Sequence, residues 1–279
     1  MSLNSVNTNV GAMMALQALA SINSQLLETQ QRISTGLRVR GPKDDASTWA
    51  IAQNQRAEVM GLDAVTGSLQ RGQAIVDVAI SGGESISDLL MQMKTEMLAA
   101  MEPGISASDK AAHSDQYVSL RKQIDTIATT SEFNGVGLIS GGGGTGDRVR
   151  ALANTRATST IDVDHVDLST TGALLSGLPA DLTGTIVQTD LDTIKSSMSG
   201  VTAALGRLGS GSKALDIHLD FVGKQQDVLE ASIGRLVDAD LAKESARLQA
   251  LQVRQQLAVM ALGIANQAPS MLLQLFQRR

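Results

Sequence analysis

The chain has 279 residues, 43% hydrophobic, 18% charged and only 2% aromatic, with a formal net charge of −5 and no cysteine. The apolar fraction suffices for a folded core, but the scarcity of Phe, Tyr and Trp favours thin layers of Leu, Ile, Val, Met and Ala on helices over sandwiches and barrels. Disulfide frameworks, thiolate nucleophiles and Cys-based metal sites are excluded, and the acidic balance offers no electrostatic footprint for nucleic acid.

Residues 1–20 have no basic n-region, and Asn4, Ser5, Asn7 and Gln17 interrupt any continuous apolar stretch, so a cleaved Sec-type leader is not expected. Ala12, Ala15, Leu19, Ile22, Leu26, Thr29 and Ile33 then repeat at alternating steps of three and four, the spacing of a helix that packs along one seam. This stripe fails at Gly36, and a Gly41-Pro42 step follows. Asp44 or Asp45, just beyond it, suits the N-cap of a new helix, where a carboxylate accepts free backbone N–H groups.

The second stripe runs through Leu62, Val65, Leu69, Gly72, Val76, Ala79, Gly83, Ile86, Leu90, Met93 and Met97, broken only by its glycines. Pro103-Gly104 stops this helix after Glu102, and Ser108-Asp109 signals the start of a third, which turns Tyr117, Leu120, Ile124 and Ile127 back on it. From 133 to 188 the helical period vanishes. The Gly-rich tract 141–146 reads as a flexible turn, and β-type runs at 160–163 and 185–187 predict hairpins and loops at the far end of a helical rod.

The helical period returns at Leu191 and continues through Ile194, Met198, Val201, Leu205, Leu208, Ser212, Leu215, Leu219, Val222, Gln226, Leu229, Ile233 and Leu236, where only Ser212 and Gln226 are polar. The register slips between Leu236 and Leu241. A last stripe, Leu241, Leu248, Leu251, Ala258, Leu262 and Ala265, is interrupted by Glu244 and Gln255. The breaks near 36–45 and 236–241 mirror each other, so two stacked helix pairs are expected. The predicted fold is mainly α, a long antiparallel coiled-coil bundle formed by the N- and C-terminal segments with a small β-hairpin region. Residues 1–42 with 237–279 form one domain and 43–236 the other, with hairpins and loops at about 133–188.

Around the last helix Leu257, Val259, Met260, Leu262 and Ile264 point in nearly all directions, and an all-round apolar helix must be buried by something. One antiparallel partner covers one face, so the other faces require further subunits. The longest apolar run, 257–265, falls short of the roughly 20 residues that span a bilayer, and membrane insertion is not expected. His113, His165 and His218 are scattered and read as surface polar groups. Asp162, Asp164 and Asp167 lack the Gly and distal Glu of a calcium loop, and no phosphate-binding Gly-Lys-Ser/Thr ending or Gly-x-Ser-x-Gly elbow occurs. Neither catalytic residues, a metal nor a cofactor is expected.

Residues 26–53, LLETQQRISTGLRVRGPKDDASTWAIAQ, and residues 236–275, with Asp238-Ala239-Asp240, Glu244-Ser245 and Ala265-Asn266-Gln267, resemble a bacterial flagellin. The run TSEFNGVGLISG at 130–141 is similar to that family's passage from helix to hairpin, and the whole to its short alphaproteobacterial type, which lacks outer variable domains. The resemblance implies a structural subunit that polymerises into a helical tube for swimming, with the terminal helix pair (1–42 with 237–279) in an inner core. Hook-filament junction proteins share the N-terminal pattern and are the alternative, against which the C-terminal block weighs. Implied partners are further copies, other flagellins, hook-associated and cap proteins and an export chaperone. The implied place is extracellular, reached through a flagellum-specific type III conduit without a cleaved leader. Subunit contacts are then expected at Leu19, Ile22, Leu26, Ile33, Lys43, Asp44, Asp45, Leu248, Leu251, Leu257, Met260, Leu262 and Ile264. Flagellins of this type often carry O-linked sugars on their exposed hairpin region, here Thr155, Thr158, Ser159, Thr160, Ser169, Thr170 and Thr171.

Overall fold

A computed structural model describes residues 8–141 and 148–277, with side chains as far as residue 267. The first seven of residues 1–20, where no leader is expected, and most of the Gly-rich turn at 141–146 therefore lie outside the described residues. In chain order the elements are α1 (Val10–Thr35), α2 (Ala46–Ala100), α3 (Ala107–Thr130), β1 (Glu132–Phe133), β2 (Val136–Gly137), β3 (Arg148–Leu152), β4 (Thr160–Asp164), α4 (Gln188–Val237) and α5 (Leu241–Gln277). They divide between two compact units, Met1–Ala57 with Leu229–Arg279, and Glu58–Val228, so α2 and α4 contribute to both.

In the terminal unit α1 begins on Asn9, whose side-chain oxygen accepts the Ala12 N–H at 2.9 Å. It ends on Gly36 at φ 69°, a left-handed cap that favours glycine. α1 and α5 run antiparallel, and the polar breaks in the α5 stripe find partners on α1. Glu244 meets Arg32 at 3.3 Å and Gln255 donates to Asn23 at 2.7 Å. At the far end of the pair the Asn9 amide donates to the Ala265 carbonyl at 2.7 Å. The junction between the helices is built rather than slack. Arg38 N–H donates to Val237 O, Ala239 N–H to Gly36 O, and Val39, Ala52 and Val237 form a buried cluster flanked by Leu37, Trp49, Ile233 and Leu236.

In the 58–228 unit every position of the α2 stripe from Leu62 to Met97 is buried. Its two glycines are sites of close approach: a Cβ on Gly72 would lie 3.1 Å from Val149 and one on Gly83 2.6 Å from Leu205. Gln226 donates to Asp63, Gln73 to Asp216, and Ser212 to Asp77, and each step forward along α2 is matched by an equal step back along α4. The two polar breaks of the α4 stripe thus join a ladder that holds one antiparallel register. α3 folds back as expected, burying Tyr117, Leu120 and Ile124, but its cap is Ser106 rather than Ser108, because the Ser106 hydroxyl accepts the Asp109 N–H at 3.1 Å.

The β region differs from expectation in three ways. First, β3 and β4 pair in a five-residue antiparallel register beside α2 and α4, with Val149 against Gly72 and Val163 against Gly211, rather than beyond their far ends. Second, residues 185–187 are not a strand; they lead into α4, where Asp190 accepts the Val187 N–H at 2.8 Å. Third, the stretch after β4 is an ordered arm. It buries Leu168, Leu175, Leu178 and Leu182, and is tied down by Thr170 donating twice to Asp125 and by Leu182 N–H donating to Ser114 Oγ. β1 and β2 form a tight hairpin through Asn134 and Gly135, both at positive φ, as the mirror-image turn between twisted strands requires.

Candidate subunit interface

The α1–α5 pair has only two layers, so each helix shields one side of the other and leaves the rest to solvent. Leu26, Thr29, Glu244 and Leu251 are buried along the seam. Leu19, Ile22, Ile33, Leu248 and Leu262 are half-buried beside it. On the outer side of α5, Leu257 is 55% exposed, Met260 57% and Ile264 71%, with Val253 and Val259 similarly open. α1 adds Met13, Met14, Leu16 and Leu27, each more than 60% exposed.

The expected contact set therefore separates. Leu26 and Leu251 are covered by their own chain and are corrected to seam residues, because the α1–α5 packing consumes the stripe on which they sit. Leu257, Met260 and Ile264 remain free to meet a neighbour. Met13, Met14, Leu16, Leu27 and Val253 are open as well, and a search along one stripe passes over them because they lie off it. Single exposed leucines are ordinary on a protein surface, whereas this many large apolar residues exposed on one helix pair are not.

α1 also revises an expectation. Its length, and the composition of an 18-residue stretch within it, would suffice to cross a membrane, and among the described residues it is the one such helix. Counting uninterrupted apolar runs misses it, because scattered Ser, Asn and Gln break the runs without lowering the average enough. In this unit α1 packs its stripe on α5.

Within the seam sits a charged trio. Arg32 pairs with Glu28 at 2.5 Å and with Glu244 at 3.3 Å, while Arg32 Nε and Glu244 Oε2 are buried without a partner. An ion pair in such a place costs desolvation, and its best-attested benefit is to specify which register can form.

At the junction the three neighbouring charges have different fates. Asp45 caps α2: Thr48 Oγ1 donates to it at 2.6 Å and the Thr48 and Ser47 N–H groups at 3.1 Å, which holds its carboxyl below the ordinary range. Asp44 is gripped by Arg40 through Nε, Nη2 and the backbone N–H, all within 3.1 Å, and is lowered for that reason. Lys43 points to solvent. Of the three, Lys43 is the one whose charge its own chain has not already engaged in a local hydrogen bond.

Among the hydroxyl candidates for O-linked sugars, Thr158, Ser159, Thr160 and Thr171 are exposed, and Thr155 is half-buried and donates to Glu58 at 2.7 Å. Ser169 and Thr170 are buried, at 5% and 4%, and are corrected: the arm that carries them packs against α3, leaving no room for a sugar. The histidines are each anchored rather than simply solvated. His113 meets Glu96 at 2.7 Å, His165 the Ser140 carbonyl at 2.9 Å and His218 the Ala153 carbonyl at 2.8 Å. Among the described residues no three His, Asp or Glu side chains converge as a metal site would require.

Two sequence families match this chain: the bacterial flagellin N-terminal helical region over residues 6–143 and the C-terminal helical region over 191–276. Flagellin FljK of Caulobacter vibrioides is 45% identical over 99% of this chain and 100% of its own length. A flagellin of Brucella melitensis is 34% identical over 98% and 99%. A solved structure assigned as a flagellar hook-associated protein from Vibrio parahaemolyticus has a TM-score of 0.60 at 16% identity, covering 70% of this chain and all of that one, a likeness of fold.

Proposed function

Because the chain belongs to the bacterial flagellin family, whose members polymerise into the extracellular filament of the flagellum, we propose that copies join through the open face of its α1–α5 pair. The chain is a structural subunit and not an enzyme. The observation that carries the proposal is the exposure of Met13, Met14, Leu16, Leu257, Val259, Met260 and Ile264 around a pair of helices that, among the described residues, cover only one side of each other.

Burial of such a face contributes about 25 cal/mol per Å² of apolar surface, and the contribution repeats at every added copy. A tube arises when the contact is heterologous and its rotation does not close on itself. In this reading residues 1–42 with 237–279 form the inner core and 43–236 the outer layer. The compact terminal unit extends further along α2 and α4, to Ala57 and from Leu229. Lys43 is the junction charge assigned to contact between copies. Leu19, Ile22, Ile33, Leu248 and Leu262 contribute the edges of the same surface.

The further partners belong to this proposal as well: other flagellins mixed into the polymer, hook-associated and cap proteins at its ends, and an export chaperone that shields the open face before assembly. Export is proposed to proceed without cleavage of a leader. Sugars, where present, are assigned to Thr155, Thr158, Ser159, Thr160 and Thr171; intact mass of native filaments equal to the bare polypeptide removes that assignment. Electron microscopy of purified full-length protein with a polymerising agent tests the central claim. Long tubes of uniform diameter are expected, and a protein that stays monomeric at high concentration, with protease-resistant termini, refutes it.

A further inference from the structure

The 58–228 unit carries charge of opposite sign on opposite sides of α2. On one side a groove of about 380 Å³ opens between α2, the β1–β2 hairpin and β3. Arg71, Arg148 and Arg150 line it, with Ile75, Phe133 and Val136 as its apolar surface. Asp162 lies 3.6 Å from both Arg148 and Arg150, and Asp164 stands opposite Arg148 in the strand register, so two carboxylates stand near three guanidinium groups and a single positive charge is left in excess.

On the other side Asp77, Ser81, Glu84, Asp88 and Met91 are all exposed and recur at steps of four and three, which places them on one face of α2 about 21 Å long. Between Arg71 and Lys94 the helix has no basic residue. At 100° per residue this acidic face points nearly opposite to Ser68, Arg71, Gly72 and Ile75, the α2 residues that line the groove.

We propose that the groove of one copy receives the acidic α2 face of a second copy, with Arg71, Arg148 and Arg150 against Glu84, Asp88 and Asp77, and Phe133 and Val136 against Met91. The match is between two different surfaces of one chain, so each copy offers a groove on one side and an acidic face on the other. Such a contact is heterologous and adds copies head to tail, in an open series where its rotation does not close. It rests on the filament reading above and adds a second joint to it, distant in sequence from the terminal helices. Its charges steer approach and reject misaligned copies, and they are weakened by salt because both surfaces are solvated before contact.

Charge exchange tests it on the full-length chain. Arg71→Glu with Arg150→Glu reverses the groove and spares Arg148, and Glu84→Lys with Asp88→Lys reverses the face and spares Asp77 with its bond to Ser212. The readout is the concentration of monomer left in equilibrium with filaments, measured by sedimentation in low salt, with helicity checked by circular dichroism. Each pair of reversals is expected to raise that concentration about tenfold, and the fourfold variant to return to within about threefold of the parent, since opposite charges again face each other. An equimolar mixture of the two double variants is expected to co-assemble. Double variants that assemble like the parent, or a fourfold variant no better than either double, overturn the contact. Should a reversal unfold the protein, Arg71→Gln with Arg150→Gln and Glu84→Gln with Asp88→Gln replace it, with a smaller rise expected and an unchanged concentration counting against the contact. A parent chain that forms no filaments breaks the filament reading instead.

Discussion

In the 58–228 unit α2 buries all eleven positions of its stripe from Leu62 to Met97, while among the described residues α1 and α5 together bury only Leu26, Thr29, Glu244 and Leu251. The underlying pattern of apolar steps is the same in both units. What differs is the number of layers. α2 meets α4 on its stripe and receives α3, two hairpins and the Leu168–Leu182 arm around it, whereas α1 and α5 have only each other in one chain. A closed core of the first kind is stable alone; an open pair of the second kind is incomplete until something covers it.

The sharpest way to break this contrast is to charge the open face. Leu257→Asp with Met260→Asp is expected to abolish filaments, raising the monomer concentration needed for assembly more than about a hundredfold, because two carboxylates are then buried unpaired at every joint. Unfolding of the monomer followed by circular dichroism is expected to shift little, since both positions face water before assembly. A filament that still forms would show that the face is not the joint.

A second comparison places like substitutions in the two units. Leu90→Ala removes a fully buried side chain and is expected to cost about 2–5 kcal/mol in urea unfolding of the monomer. Met260→Ala is expected to stay within about 0.5 kcal/mol, as exposed positions do. Equal losses at both positions would mean that the terminal pair is already covered.

The Arg32–Glu244 pair gives a third test. Removing either partner alone, Arg32→Leu or Glu244→Leu, is expected to cost about 1–3 kcal/mol by leaving the other charge in the seam, while the double variant regains most of that loss. If the singles are silent, the seam is wetter than its burial indicates.

Smaller effects are expected from groups whose partners are missing or local. The Tyr117 hydroxyl is buried without a partner and its pKa is pushed up by burial, so Tyr117→Phe is expected to be neutral or stabilising by up to about 1 kcal/mol in thermal unfolding. Asp45 has a carboxyl held below its ordinary value of 3.8 by the α2 cap, so its contribution is complete above that value and disappears as pH falls through the lower folded one. Acid titration of stability should therefore flatten at the low-pH end in Asp45→Asn, with the 58–228 unit unaffected.

The helical stripes, the Gly36 stop, the fold-back of α3 and the mirrored breaks were legible from residue order, because helix packing repeats about every 3.5 residues and needs no knowledge of the partner's identity. Caps were legible to within two residues, as Ser106 against Ser108 shows. The openness of Leu257, Met260 and Ile264 follows from an all-round apolar helix, but Leu26 and Leu251 could not be told from them until α5 was seen to lie on α1. The arm at 165–183 went unread although Leu168, Leu175, Leu178 and Leu182 keep a seven, three, four spacing, because its glycines and hydroxyls pointed to loops.

A chain's local pattern sets which stretches become helical and which side of each is greasy. That Ser212, Gln226, Glu244 and Gln255 would be register rungs rather than defects, that Gly72 would admit a strand, and that three arginines from α2 and β3 would share a groove depended on packing. These facts rest on contacts between residues far apart in sequence, and periodicity gives the direction of a side chain without naming what waits there.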